Sequence, residues 1–123
     1  NIVLQGEVSS DRAPDAVANS DIVLIPSRDE PFSIVGLDAL AMARICVCGP
    51  EVGLFDYLVD GSSGFLAKSC APEDLADALA RALAKRAGWG DIGRAAQKLC
   101  ESRFSAAAFE DRVLRRLGLE TSL

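Results

Sequence analysis

A chain of 123 residues, half of them apolar and a quarter charged, has room for one packed domain or part of one, and it lacks the bias of a disordered segment. Its net charge of −5, with the acids dispersed along the chain, excludes the clustered Lys and Arg footprint of nucleic-acid binding. No apolar run approaches the ~20 residues that span a bilayer.

No signal peptide is visible, and Asn1 is not an initiator residue, so chain upstream of it is expected. The expected location is the cytoplasm, with peripheral contact at the inner face of a membrane as a variant. The sequence has no His, which removes Ser-His-Asp, Cys-His and H-E-x-x-H chemistry from this segment. Cys46, Cys48, Cys70 and Cys100 show no C-x-x-C spacing, and a zinc site would need all four thiolates or added carboxylates. Cys46 and Cys48 alternate with Val47 on a predicted buried strand and read as small core residues, so no metal is expected.

In chain order, Ile2-Val3-Leu4 is a short β-type run ended by Gln5-Gly6. Ser9 to Ala18 carries N-cap candidates and an early Pro14, the start signals of a helix. The continuous run from Asp21 to Pro26, through Ile22-Val23-Leu24-Ile25, predicts a strand covered on both faces. Ser27 to Pro31 is a polar loop, Ser33 to Ala43 a helix, and Ile45 to Cys48 the next buried strand. Gly49 to Gly53 is a turn-rich loop, followed by a short helix through Phe55 to Leu58, a turn at Asp60 to Gly64 and a strand at Phe65 to Ala67. From Ala71 the pattern is helical, with Pro72 in the first turn and Leu75, Leu79 and Leu83 recurring. Gly88 to Gly90 breaks it; helices are predicted from Asp91 to about Arg103 and from Ser105 to about Leu117. Arg112, Arg115 and Arg116 of the last helix, balanced by Glu110 and Asp111, read as a solvated face rather than a membrane contact. The alternation of strands and helices predicts an α/β fold with an open parallel sheet. In such sheets ligands bind beyond the carboxyl ends of the strands, which points to the loops after Ile25 and after Cys48.

Two acids carry the functional information. The segment from Ser33 to Ala43 is apolar on nearly every face, so it is expected inside the protein, and Asp38 is its only ionisable group. A buried carboxylate costs several kcal/mol (order of magnitude) unless paired. Asp38 therefore either accepts hydrogen bonds from a neighbouring loop or holds a ligand, and a carboxylate can accept two vicinal sugar hydroxyls. Glu30, just before the same helix, has a plain reading as a charge beside the positive end of the helix dipole. Its other reading is a ligand contact, because free N–H groups at Ser33, Ile34 and Val35 would accept a phosphate or sugar oxygen beside it.

The stretch from Ser27 to Ala41, SRDEPFSIVGLDALA, resembles the signature PS-x-x-E-P-F-G-x-x-x-x-E-A-M-A of the group 1 glycosyltransferases, the retaining GT-B enzymes with two acids separated by seven residues. Glu30 and Asp38 fall on the two acids. Upstream, Ala18 to Ser27 is similar to that family's strand before the signature; downstream, Val52 to Leu66 follows G-G-x-x-E-x-V-x-D-G-x-x-G-x-L-V without a gap. Pro72-Glu73-Asp74-Leu75-Ala76 and Arg103-Phe104-Ser105 fit two closing helices.

The resemblance implies the second half of a Rossmann-like nucleotide-sugar-binding domain, the C-terminal domain of a GT-B protein. It implies a nucleotide-diphosphate sugar as donor, no cofactor, no metal, and retention of anomeric configuration. It also implies that Glu30, as the catalytic-side acid, holds donor-sugar hydroxyls and Asp38 the ribose hydroxyls. The backbone of Phe32, Ser33 and Ile34 would line the sugar and phosphate, and Gly53 and Leu54 would approach the diphosphate. Residues that neutralise the diphosphate, and a domain that binds a glycan or lipid-linked acceptor, would precede Asn1; the helix at 105–123 would pack back on that domain.

The departures cluster near the site. Ser33 stands where the family has Gly, Asp38 and Asp56 where it has Glu, Val52 at the first Gly of a pair, and Ala43 and Ile45 at a Gly and a Pro. Three readings follow: the donor-binding part of an active transferase, a non-catalytic binding or partner subunit, and an unrelated flavodoxin-like α/β protein.

Overall fold

Ile45–Cys48 has no polar side chain, and it forms the middle strand of a three-stranded parallel sheet, buried on both faces. The computed structural model describes residues 1–119. Its elements are α1 (Ala13–Ala18), β1 (Ile22–Ile25), α2 (Ile34–Ala41), β2 (Ile45–Cys48), a 3₁₀ turn (Gly53–Tyr57), β3 (Phe65–Leu66), α3 (Pro72–Ala84), a second 3₁₀ turn (Arg86–Gly88), α4 (Trp89–Phe104) and α5 (Ala106–Arg116). The strand order is β1-β2-β3, with Ile22 opposite Ile45 and Val47 opposite Phe65.

The period of two along β2 splits the core into two layers. Cys46 and Cys48 face Ile25, Leu40 and Leu54 on one side; Ile45 and Val47 face Phe65, Leu75, Ala78 and Ala82 on the other. Both cysteines are fully buried and free, as core residues. A hydrogen bond with Cys48, then burial, holds the Cys46 thiol well above its ordinary range, so it stays protonated at neutral pH.

The structure revises several predicted elements. Ile2-Val3-Leu4 forms no strand, and its side chains are exposed. A strand persists only where a neighbour takes its backbone hydrogen bonds, and among the described residues none does. The outer edge of β1 likewise has no neighbour among the described residues. The helix expected from Ser9 is shorter: the Ser9 carbonyl accepts from the N–H groups of Arg12 and Ala13, both at 3.0 Å, and α1 begins only at Ala13. In α3 the core stripe is Leu75, Ala78 and Ala82, which leaves Leu83 exposed. α4 starts at Trp89, inside the glycine break, because the indole N–H donates to the Ala82 carbonyl at 2.8 Å and anchors that turn.

The Asp60-Gly61 turn is latched to α3. Arg81 forks onto both Asp60 carboxylate oxygens at 2.8 and 2.9 Å, and donates to the Leu66 carbonyl at 2.6 Å. Ser105 caps α5 by accepting from the Ala108 N–H at 3.2 Å. No residue of α5 is buried, and Arg115 pairs with Asp111 at 2.9 Å. The expected helix at 105–123 is seen as far as Arg116, and residues 120–123 lie outside the described residues. Among the described residues no helix is long and apolar enough to cross a membrane.

Candidate functional site

The loops leaving β1 and β2 are joined by three backbone hydrogen bonds. The Glu30 N–H donates to Glu51 O at 2.9 Å, the Gly53 N–H to Glu30 O at 2.9 Å, and the Leu54 N–H to Phe32 O at 3.2 Å. This zipper sets Glu30, Phe32, Ser33, Gly53 and Leu54 beside one another at the carboxyl ends of β1 and β2. Gly53 permits it: a Cβ there would lie 1.9 Å from the Pro31 carbonyl oxygen, so only a hydrogen fits. Leu54 is fully buried, and its side chain fills the notch over Gly36, where an added Cβ would come within 2.6 Å of it.

The zipper decides which donors remain. The N–H groups of Gly53 and Leu54 are committed to the 30–32 loop, so these residues offer a ligand a fixed wall rather than hydrogen bonds. At the start of α2 the Gly36 N–H donates to Ser33 Oγ at 3.1 Å. The N–H groups of Ser33, Ile34 and Val35 have no partner among the described residues. They form the positive, open end of the helix.

The expectation that this helix is covered on nearly every face does not hold for its first turn. Ile34 is 77% exposed and Val35 45%, because among the described residues nothing packs over that side. The start of α2 is therefore open to solvent at Ile34 and Val35, while Ser33 itself is buried.

Asp38 sits about 6 Å along the helix axis from Ile34, by the rise per residue. It is half-buried rather than fully buried, and its carboxylate has no hydrogen bond or ion pair among the described residues. α4 runs antiparallel along α2: a Cβ on Gly93 would meet the Ala43 carbonyl oxygen at 2.3 Å, Gln97 donates to Ala41 O at 2.9 Å, and the Phe104 ring lies 5.0 Å from that of Phe32. That register brings Cys100 opposite Asp38. Burial pushes the Cys100 thiol up, and the charges of Glu101 and Asp38 add to the effect. Glu30 is half-buried, and its carboxylate is also without a partner among the described residues. Asp29, at φ 52°, and Asp56 are exposed.

Ser33, at the glycine of the signature, and Ala43, where the resemblance places a glycine before the buried strand, both have positive φ, 90° and 54°. An L-residue there is strained by roughly 1–2 kcal/mol. Ser33 offsets part of this with its cap, and replacing a serine cap by Gly costs only a few tenths of a kcal/mol. Ser33→Gly is therefore expected to stabilise the protein by about 0.5–1 kcal/mol, read as a higher thermal midpoint; a lower midpoint would show that Ser33 is not strained.

Sequence reasoning missed Tyr57 and Phe104, whose rings close on Phe32. The only signal was Phe104 inside Arg103-Phe104-Ser105. Among the described residues, no group of three or more His, Cys, Asp or Glu could hold a metal ion. Cavities of about 730 Å³ along the N-terminal segment (Gln5, Glu7, Arg12, Asn19) and about 470 Å³ between Leu24, Arg28, Cys70 and Leu79 lie elsewhere, and neither includes Glu30 or Asp38.

An open parallel α/β sheet with flanking helices, and a cradle of free N–H groups beyond the strand ends, defines a Rossmann-like domain. The family model described as glycosyl transferases group 1 matches residues 1–85, and the chain belongs to that family. It is 26% identical over 121 residues to the alpha-D-kanosaminyltransferase of Streptomyces kanamyceticus, an alignment covering 96% of this chain and 31% of that protein. Its fold matches Anabaena HepE in complex with UDP-glucose at a TM-score of 0.71 and 21% identity, covering 86% of this chain and 29% of HepE. It also matches sucrose-phosphate synthase from Thermosynechococcus elongatus at 0.75 and 23% identity, covering 91% and 29%. The chain thus spans under a third of the length of each of these three proteins.

Proposed function

We propose that this chain is the donor-binding part of a retaining glycosyltransferase, which moves a sugar from a nucleotide-diphosphate sugar to a glycan, glycolipid or other acceptor held by residues outside the chain. The observation that carries the reading is the row of free N–H groups at Ser33, Ile34 and Val35, flanked by two unpartnered carboxylates, Glu30 and Asp38. The helix end meets the diphosphate oxygens and stabilises the negative charge that grows as the diphosphate departs. Asp38 accepts the two vicinal ribose hydroxyls, and Glu30 accepts hydroxyls of the donor sugar and fixes its orientation. No bound cofactor is required by this scheme. That HepE was solved with UDP-glucose supports a uridine nucleotide as the first donor to try.

The experiment is a titration of the native full-length polypeptide with UDP, GDP and ADP sugars, beside its Asp38→Ala variant. One nucleotide class is expected to bind saturably, and the variant to bind it at least about 100-fold more weakly, the loss of two hydrogen bonds to a charged acceptor. A second reading, a non-catalytic binding or partner subunit, is favoured by the Ser33 side chain in the cradle and by the committed N–H groups of Gly53 and Leu54. A folded protein that binds none of the three would select it.

A further inference from the structure

We infer that Phe104 and Tyr57 are positioning residues for the donor site: they grip the ring of Phe32 and hold the Glu30–Ser33 loop in its binding conformation. The inference rests on the donor-site reading above.

The three rings form a closed set. Phe104 lies 5.0 Å from both Phe32 and Tyr57, and Phe32 lies 6.0 Å from Tyr57; all three pairs meet edge to face. Each ring belongs to a different element. Phe32 sits between Glu30 and Ser33, Tyr57 ends the 3₁₀ turn that begins at Gly53, and Phe104 ends α4, the helix that lies beside Asp38. The cluster therefore fastens both site loops and the helix behind Asp38 at one point.

The loop needs fastening. Asp29 and Ser33 bracket it at φ 52° and 90°, and non-glycine residues keep such conformations only where their surroundings over-determine them. The zipper holds Glu30 and Phe32 on the side of Gly53 and Leu54. On the α2 side the Ser33 N–H has no partner among the described residues, and the side-chain anchor next to it is the ring of Phe32. Edge-to-face packing fixes ring orientation as well as contact, which a branched aliphatic side chain of similar size does not do. Phe32 and Phe104 also pack against the hydrophobic core, whereas Tyr57, 44% exposed, serves the core less.

If the clamp is loosened, the loop samples other conformations, and apparent affinity falls with the fraction that remains competent. Phe104→Leu is expected to raise the donor KM about tenfold and to leave kcat at saturating donor within about threefold; Phe104→Tyr should restore the wild-type KM. In the absence of donor, amide exchange at Gly53 and Leu54 should quicken about tenfold, with Ile25 and Val47 in the sheet unchanged. Tyr57→Leu, at an exposed position, gives the same test if Phe104→Leu fails to fold. A lower melting temperature with unchanged KM and unchanged exchange would reduce the cluster to ordinary packing and overturn the inference. Donor binding by the wild type that is lost in Asp38→Ala but kept at wild-type affinity in Phe104→Leu overturns this inference alone. No donor binding by the folded wild type overturns the donor-site reading, and the positioning role with it, even where exchange at Gly53 quickens.

Discussion

Gly53→Ala is expected to cost about 3–5 kcal/mol of stability and to abolish donor binding at the proposed site. The added Cβ would sit 1.9 Å from the Pro31 carbonyl oxygen and 2.8 Å from its carbon, and both are backbone atoms that cannot swing aside. Relief requires the two loops to part, which breaks the Gly53 N–H to Glu30 O bond and the Leu54 N–H to Phe32 O bond. Overpacking of this kind costs roughly 1–3 kcal/mol, and each broken backbone bond adds about 1 kcal/mol. The consequence for binding is larger than for folding, because Glu30 moves with its own loop. Gly88→Ala is the matched control: its nearest foreign atom would be 3.9 Å away, so it should change stability by no more than about 0.5 kcal/mol. Thermal melting and a nucleotide-sugar titration check both variants. A Gly53→Ala protein that melts and binds like the wild type would mean that the zipper is not what shapes the site.

Glu30→Gln should lower the rate of sugar transfer about 10²–10³-fold and weaken donor binding by no more than about tenfold, the asymmetry expected of a group whose charge counts most as the glycosidic bond breaks. The amide keeps the size of the side chain and one acceptor oxygen, so hydroxyl contacts in the ground state partly survive. What is lost, on the proposed role of Glu30, is the negative charge that would face the sugar as positive character develops there. The backbone bonds of Glu30 to Glu51 and Gly53 do not involve the carboxylate, so the fold should be untouched. Single-turnover kinetics at saturating donor separates the two effects. A transfer rate within threefold of wild type would remove Glu30 from the chemistry and leave it as a charge placed beside a helix end.

Much of this arrangement was legible in the sequence where side chains alone carry it. Ile45 to Cys48 was readable as a buried strand because covering both faces leaves no polar position in the run. Ser33 to Ala43 was readable as a helix, with Ser33 supplying the cap rather than the first turn. Asp38 stood out because an unpaired acid in an apolar helix needs a reason, and Glu30 because it falls on the first acid of the signature that the stretch resembles. The degree of burial of Asp38 was not legible: composition says which faces of a helix can be covered, and only the packing says which are. Ile2-Val3-Leu4 misled because β-branched residues record a preference for a sheet without recording whether a neighbour is present. The zipper between the two loops left almost no trace, since backbone hydrogen bonds between distant segments impose no side-chain pattern beyond Gly53. Phe32, Tyr57 and Phe104 are likewise scattered along the chain, and nothing in their spacing announces that they meet.

The most direct test of the central claim is an amide-resolved NMR titration of the native full-length polypeptide with the nucleotide sugar that it binds. The largest shifts on saturation are expected on the free amides of Ser33, Ile34 and Val35, with Glu30 and Asp38 moving alongside them. Saturable binding whose shifts fall instead on the N-terminal segment, or on the groove between Leu24 and Leu79, with the α2 amides unmoved, would contradict it.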